Sequence, residues 1–312
     1  MVHWQKHLGL FTCMLVVLPV PLDVMFWHST SVVMQSETDL EGVRVAIYRI
    51  DRLDNFSFTA CLNLFHWMNA TVELLDGTAI QQGGLFGFDL LVFPSYGPSS
   101  YERELTALGK GRIRQFIASG GSFFSVCRGT EFAVRSLQLV TAELKLIGAY
   151  GVQCMDSHPG PLYLAEMTVN HSSPGPDLSD EPDSYSLFCS GAAYFDVADT
   201  SGVNPILSYA NTGYPGMITF HYGHGTVFLS SPHPEYEEGS DRDGMTQTDL
   251  IHIPPYKKLN DSDSEWDLLC KISRWLVNTS PDIPEPQIST LIMIGVLSLV
   301  VIIGGVIVIR RR

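Results

Sequence analysis

Apolar residues are arranged along this chain in two ways. Unbroken blocks lie near both ends, Leu8–Val20 and Leu291–Ile309, and short runs between them are separated by turn-forming residues. In the middle, Val43, Ala46 and Ile47 sit among polar neighbours just after Gly42, which predicts a strand over Val43–Ile50. A helix is predicted through Phe58–Met68 and should stop at Asn69, because Asn tolerates the left-handed conformation used at helix C-termini. Thr71–Leu75 reads as a second strand. Within Phe88–Pro94 the run Leu90-Leu91-Val92-Phe93 has the character of a strand buried on both faces, and it halts at Pro94-Ser95-Tyr96-Gly97-Pro98. A helix from about Ser99 to Ser119 ends at Gly120-Gly121, and Ser122–Val126 forms the next strand. Strand, helix, strand, strand, helix, strand is the order of an open, doubly wound, mostly parallel α/β sheet whose working edge lies at the C-terminal ends of its strands.

From Lys145 to Val197 the pattern loosens into short β-like runs, Leu162–Val169 and Ser186–Phe195, which read as insertions and hairpins. Pro205–Tyr209, Gly216–His221 and Gly225–Ser230 look like three consecutive strands, the last two joined by the tight turn Tyr222-Gly223-His224-Gly225. Ser262-Asp263-Ser264-Glu265 has the form of a capping box that starts a last helix running to about Val277. Trp266 and Trp275 on that helix are expected in the core. A single domain is therefore expected over residues 40–279, and these roughly 240 residues are enough to bury a sizeable core. Residues 280–290, with Pro281, Pro284 and Pro286, read as a short stiff spacer.

The two end blocks add export to this picture. Leu291–Ile309 is 19 residues with only Gly and Ser as non-apolar members. At ~1.5 Å per residue it reaches about 28 Å, close to the ~30 Å of a bilayer's hydrocarbon core, and predicts a transmembrane helix. The tail Arg310-Arg311-Arg312 marks the cytoplasmic side, which leaves the domain outside the cell membrane on a single-pass anchor. Residues 1–31 read as a signal peptide, with Lys6 and His7 before the apolar run and Ser29 and Ser31 as small residues for cleavage, or as an uncleaved anchor. Five of the eight Asn residues after this region lie in N-x-Ser/Thr sequons, at Asn55, Asn69, Asn170, Asn260 and Asn278, which points to a glycoprotein. Apart from Cys13 and Cys127, the cysteines are Cys61, Cys154, Cys189 and Cys270. They are either two disulfides in one of three connectivities or buried thiols. A formal net charge of −14, with no basic run before the terminal arginines, excludes a nucleic-acid partner.

Two motifs carry chemistry. In Ser122-Phe-Phe-Ser-Val-Cys127-Arg128-Gly129-Thr130 an apolar strand runs straight into Cys, then Gly, then a helix. A thiol at such an elbow is presented at the sheet edge beside the first N–H groups of the helix, whose field lowers its pKa and stabilises an oxyanion. In Val227-Phe-Leu-Ser-Ser-Pro-His233-Pro234-Glu235 a second strand delivers His233, able to take the thiol proton, with Glu235 two residues on to orient its ring. Asp241, Asp243, Asp261 and Asp263 lack the spacing of a calcium loop, and His158, His171, His221, His224 and His252 match no ligand spacing. No metal and no cofactor is expected.

Together these residues resemble the class I glutamine-amidotransferase superfamily, with its G-x-C-x-G elbow and later H-P-E, over roughly Val43 to Trp275. The Phe93-Pro94 strand end, the Tyr222-Gly-His-Gly approach and the wording Ser231-Pro-His-Pro-Glu-Tyr236 resemble most the family named for the biotin-protein ligase N-terminal domain. The resemblance implies a flavodoxin-like sheet with a nucleophile elbow, Cys127 as nucleophile, His233 as base and Glu235 as its orienter. It also implies an oxyanion hole from backbone N–H groups near Ser95 or Tyr96 together with that of Arg128. This chain departs from the pattern at Ser125, in place of the elbow's first Gly, and at Ser95, in place of a Gly whose loop calls for a positive φ that is costly for Ser.

The implied function is a thiol hydrolase or amidase working outside the cell through a thioester on Cys127, on an unknown small amide or peptide-like substrate. Export argues against an amidotransferase that hands ammonia to a synthase. The alternative is a catalytically inactive surface module that binds a partner on the same fold.

Overall fold

In the strand Ser122–Val126, Phe123 and Phe124 point to opposite faces of the sheet and both are fully buried, so the strand needs cover on both sides. The computed structural model describes residues 39–49, 56–139, 145–147, 162–190, 193–197, 202–237, 242–244 and 264–279. Strands β1 (Arg44–Tyr48), β2 (Thr71–Leu75), β3 (Leu90–Phe93), β4 (Ser122–Val126) and β11 (Gly225–Ser230) run parallel in the order β2-β1-β3-β4-β11. On one face lie α1 (Phe56–Trp67) and α5 (Trp266–Thr279), packing Leu64, Phe65, Trp266 and Leu269 against Val45, Val92, Phe124 and Phe228. On the other, α3 (Pro98–Ala118) and α4 (Arg128–Arg135) pack Tyr101, Ile113 and Phe132 against Tyr48, Phe93 and Phe123. This is the doubly wound α/β arrangement expected.

The expectation of a mostly parallel sheet needs correction. Beyond β11 the same sheet continues through β10 (Pro215–Tyr222), β9 (Val203–Tyr209), β6 (Leu162–Val169) and β7 (Ser184–Ser190), all antiparallel to their neighbours, making a mixed sheet of nine strands among the described residues. Connection length is the physical reason: a tight turn at Gly223-His224 can join only antiparallel strands, whereas parallel ones need a crossover of a dozen residues or more. Gly223 takes φ 64°, and a Cβ there would lie 2.7 Å from the Cα of Ala118. The runs read as insertions are therefore part of the main sheet. Among the described residues, β5 (Lys145–Ile147) and β8 (Tyr194–Asp196) pair apart from it.

Local punctuation follows side-chain chemistry. Asn69 ends α1 with φ 61°, the left-handed residue expected, its N–H donating to His66 O at 3.0 Å. A five-residue helix α2 (Gly77–Gln81), capped by Asp76 accepting from Ala79 N at 2.7 Å, was not legible in the periodicity. Nor was the break in α3 at Thr106 (φ 54°), where Gln81 Nε2 donates to the Glu104 carbonyl at 3.0 Å. At α5 the helix opens at Trp266, whose N–H donates to Ser264 Oγ at 3.3 Å, while Ser262 of the expected capping box lies outside the described residues. Trp266 is in the core, as expected, and Trp275 is half-buried at the edge of the same cluster. The signal segment 1–31, the spacer 280–290, the span Leu291–Ile309 and the tail 310–312 also lie outside. Among the described residues no helix is long and apolar enough to cross a membrane.

Candidate active site

β4 and β11 are adjacent and parallel, with Val126 paired to Ser230, so both chains leave the sheet at the same edge. The chain leaving β4 turns at once. Cys127 adopts φ 45° and ψ −107°, outside the ordinary wells for a residue with a side chain, donates its N–H to Ser230 O at 2.8 Å and accepts from Glu131 N at 3.0 Å. Such a backbone costs of order 1–3 kcal/mol and is held by its surroundings. Two of those surroundings are specific. A Cβ on Gly129 would sit 2.4 Å from Phe93 O and 2.8 Å from Pro94 O, so α4 can start this close to β3 only with glycine there. Ser125, the departure from the elbow pattern, is absorbed by a hydroxyl pair with Thr130 at 2.9 Å inside the turn.

The chain leaving β11 carries His233 to the same edge. Its Nδ1 meets Glu235 Oε1 at 2.8 Å, which leaves the other ring nitrogen for Cys127, and both His233 and Glu235 are buried. The imidazole stacks on Tyr236 at 4.7 Å with 7° between the planes, and Phe188 of β7 packs at 5.5 Å. The His233 N–H donates to Phe188 O at 2.8 Å, so the last strand of the sheet supports the site. Burial alone would raise the Cys127 thiol, but the charge of His233, the hydrogen bond to it and a further one from Ser95 bring it below the ordinary value of 9.0. Burial alone would likewise depress His233, yet the facing thiolate and Glu235 push it up to about 10. Both shifts favour a thiolate beside an imidazolium. By contrast, burial pushes the Cys61 thiol well up and Cys270 to about 11.

Glu235 is held by more than His233. Ser57, on the buried stripe of α1 with Ala60, Cys61 and Leu64, donates its hydroxyl to Glu235 Oε1 at 2.6 Å, and Trp266 Nε1 donates to the Glu235 carbonyl at 3.1 Å. The same Ser57 oxygen accepts the N–H of Ser95 at 2.8 Å. The backbone donor expected from Ser95 is thus engaged inside the protein. Ser95 is not among the residues with positive φ, so the strain expected from a Ser in this loop is absent. The N–H of Arg128 points at Ser95 Oγ at 3.4 Å, and Tyr96 packs edge-on against Tyr101, whose hydroxyl donates to Pro94 O at 2.5 Å. Sequence reasoning missed Ser57. Its signal was a serine at the first position of the apolar stripe continued by Ala60, Cys61, Leu64 and Phe65.

The remaining expected residues are dispersed. Cys61, Cys189 and Cys270 are buried thiols, and Cys154 lies outside the described residues. Asn69 and Asn278 are exposed. Asn170 is half-buried with Nδ2 donating to Pro205 O at 2.9 Å and Oδ1 accepting from Ser172, while Asn55 and Asn260 lie outside the described residues. Asp243 is buried and accepts the Glu237 N–H at 3.0 Å, beside Arg242, which pairs with Glu237 and stacks 4.4 Å from the Trp266 ring. Among the described residues no group of His, Cys, Asp and Glu is placed to hold a metal ion.

With this geometry in view, the likenesses to other proteins are informative. The family described as biotin-protein ligase, N terminal, matches residues 86–271, more than half of the chain. The chain is 28% identical over 158 residues to an uncharacterized protein of Chlamydia muridarum, covering 47% of this chain and 60% of that protein. It is 25% identical over 180 residues to a biotin–protein ligase of Schizosaccharomyces pombe, covering 52% of this chain and 28% of the ligase. It therefore spans less than two thirds of either relative. In structure it is similar to a glutamine amidotransferase from Thermotoga maritima, with a TM-score of 0.50, 12% identity, and coverage of 77% of this chain and 99% of that one. A ThuA-like protein from Bacteroides uniformis has a TM-score of 0.50 at 11% identity, covering 77% and 93%. At such identities the likeness is one of fold.

Proposed function

The chain belongs to the family of biotin-protein ligase N-terminal domains, and from that premise we propose that it is an exported, membrane-anchored thiol hydrolase or amidase using Cys127, His233 and Glu235. The observation that carries the reading is His233 lying between the two acidic groups, with Nδ1 on Glu235 and the opposite ring nitrogen toward Cys127. The Cys127 thiolate attacks the carbonyl carbon of an amide, and the carbonyl electron pair moves to oxygen. Collapse re-forms the carbonyl and expels the amine, which takes its proton from the His233 imidazolium and leaves a thioester. Neutral His233 then removes a proton from water as the hydroxide attacks the thioester. The carboxylic acid departs, and thiolate and imidazolium are restored. Glu235 keeps the ring in the tautomer that faces sulfur. Export and anchoring rest on the apolar end blocks and the five sequons. The substrate is an amide or peptide-like molecule that reaches the outer face of the cell.

The test is the thiol pKa of Cys127, from the pH dependence of iodoacetamide labelling, with Cys127→Ser as background and His233→Ala as comparison. The expected result is a pKa below the ~8.5 of a free thiol that moves up in His233→Ala. A thiol that titrates normally, or does not react, overturns the hydrolase and leaves a surface binding module on the same fold.

A further inference from the structure

The geometry points to a different donor set for the oxyanion than two backbone amides. We propose that the hydroxyl of Ser95, together with the N–H of Arg128, forms the oxyanion hole, which makes Ser95 a catalytic residue of the hydrolysis proposed above, on which this inference rests.

Two features of the structure lead there. The Ser95 N–H is committed to Ser57 Oγ at 2.8 Å, and that hydroxyl is in turn bound to the buried Glu235 at 2.6 Å. Turning this amide toward a substrate would break a hydrogen-bond chain that ends on a fully buried carboxylate. The Ser95 hydroxyl, in contrast, lies beside both the Arg128 N–H and the Cys127 side chain. Its Oγ faces the first N–H of α4 at 3.4 Å, long for a hydrogen bond and therefore weakly held. It also makes a hydrogen bond to the Cys127 side chain.

This position suits the movement of charge during attack. Before the reaction the negative charge sits on Cys127 Sγ. As the carbon–sulfur bond forms, the carbonyl pair moves to oxygen, and sulfur and oxygen become substituents of the same carbon. Ser95 Oγ need only rotate its O–H from sulfur to the oxyanion while releasing the Arg128 N–H to the same atom. No proton leaves Ser95, and both donors then point at the charge where it develops. The serine that replaces glycine in this loop is thus read as a gain of a side-chain donor that compensates for an amide used elsewhere.

The experiment compares two small reagents on the full-length protein. Iodoacetamide alkylates sulfur by displacement at a saturated carbon and forms no oxyanion, whereas p-nitrophenyl acetate acylates sulfur through a tetrahedral oxyanion. Rates of Cys127 modification are followed by intact mass, with Cys127→Ser subtracted. Ser95→Ala is expected to slow acylation by about 100-fold and alkylation by only a few-fold, and Ser95→Thr, which keeps the hydroxyl, restores acylation. Ser95→Gly serves as a second hydroxyl-free variant should the alanine chain fold poorly. Equal slowing of both reactions, or no slowing of acylation, overturns the assignment while leaving the hydrolase intact. A wild-type Cys127 inert to both reagents strikes at the hydrolase itself and removes both.

Discussion

The parallel strands β2-β1-β3-β4-β11 and the antiparallel strands β10-β9-β6-β7 supply the site by different means. In the parallel half the proposed reactive groups come from the strand ends: β4 ends at Cys127, β3 ends at the Pro94 loop and β11 leads into His233, all at one edge because parallel strands finish together. The antiparallel half supplies no reacting group. It curls back so that Phe188 of β7 gives a carbonyl to the His233 N–H and a ring to its face. One half therefore makes the position of Cys127 a property of the core, while the other packs on His233 from outside.

Substitutions can separate the two contributions. Phe93 contacts Tyr48, Tyr101, Phe123 and Phe132, with ring centroids 4.8, 5.0, 5.4 and 5.6 Å away, so Phe93→Ala should cost about 4 kcal/mol in denaturant unfolding. Because nothing beside Cys127 and His233 is removed, the thiol pKa of the remaining folded protein should stay near wild type. Phe188→Ala should cost less, about 3 kcal/mol, yet raise the Cys127 pKa and slow iodoacetamide labelling about 10-fold, because without the ring packed beside it the His233 imidazole is no longer held toward sulfur. If Phe93→Ala moved the thiol pKa and Phe188→Ala did not, the division of labour would be reversed.

The smallest effect concerns pH. His233 is raised from 6.5 to about 10 and Cys127 is lowered from 9.0. The His233 contribution is full below about pH 6.5 and fades as pH rises toward 10. The Cys127 contribution is full above about pH 9 and fades as pH falls through its depressed value. Between roughly pH 6.5 and 9 the two trends cancel, since thiolate with imidazolium carries the same net charge as thiol with neutral imidazole. Melting temperature should be level across that window and fall on both sides, with limiting slopes of about 1.4 kcal/mol per pH unit for this pair. A steady slope through the window would mean that the pair is not ionic.

Much of the parallel half was legible in the sequence because its signals are local. The run Leu90–Phe93 is apolar on both faces, Gly120-Gly121 stops α3, and Asn69 takes the left-handed turn its chemistry allows. The antiparallel half was less so. β6 alternates buried and exposed residues, β7 lies among Pro, Ser and Asp, and nothing in their own residues tells that they join the main sheet. The residues Cys127, His233 and Glu235 could be chosen from two motifs, each at a strand end. The bridge through Ser57 could not, since it spans 178 positions and depends on how α1 is rotated against β11. The engaged Ser95 amide follows from that bridge and was hidden with it.

Ser57 is also the third residue of the sequon Asn55-Phe-Ser57, so one hydroxyl answers to two independent demands. Evolutionary drift at this position is doubly confined. Alanine would erase the sequon and the link from Glu235 to the Ser95 loop in one step, and threonine alone keeps a hydroxyl for both, at the expense of fitting a methyl group where the side chain has almost no exposed surface. A lineage could shed the sequon and keep the hydroxyl by changing Asn55, or by placing proline at Phe56. In experiments too, changing Asn55 tests for a glycan while leaving the Ser57 hydroxyl in place.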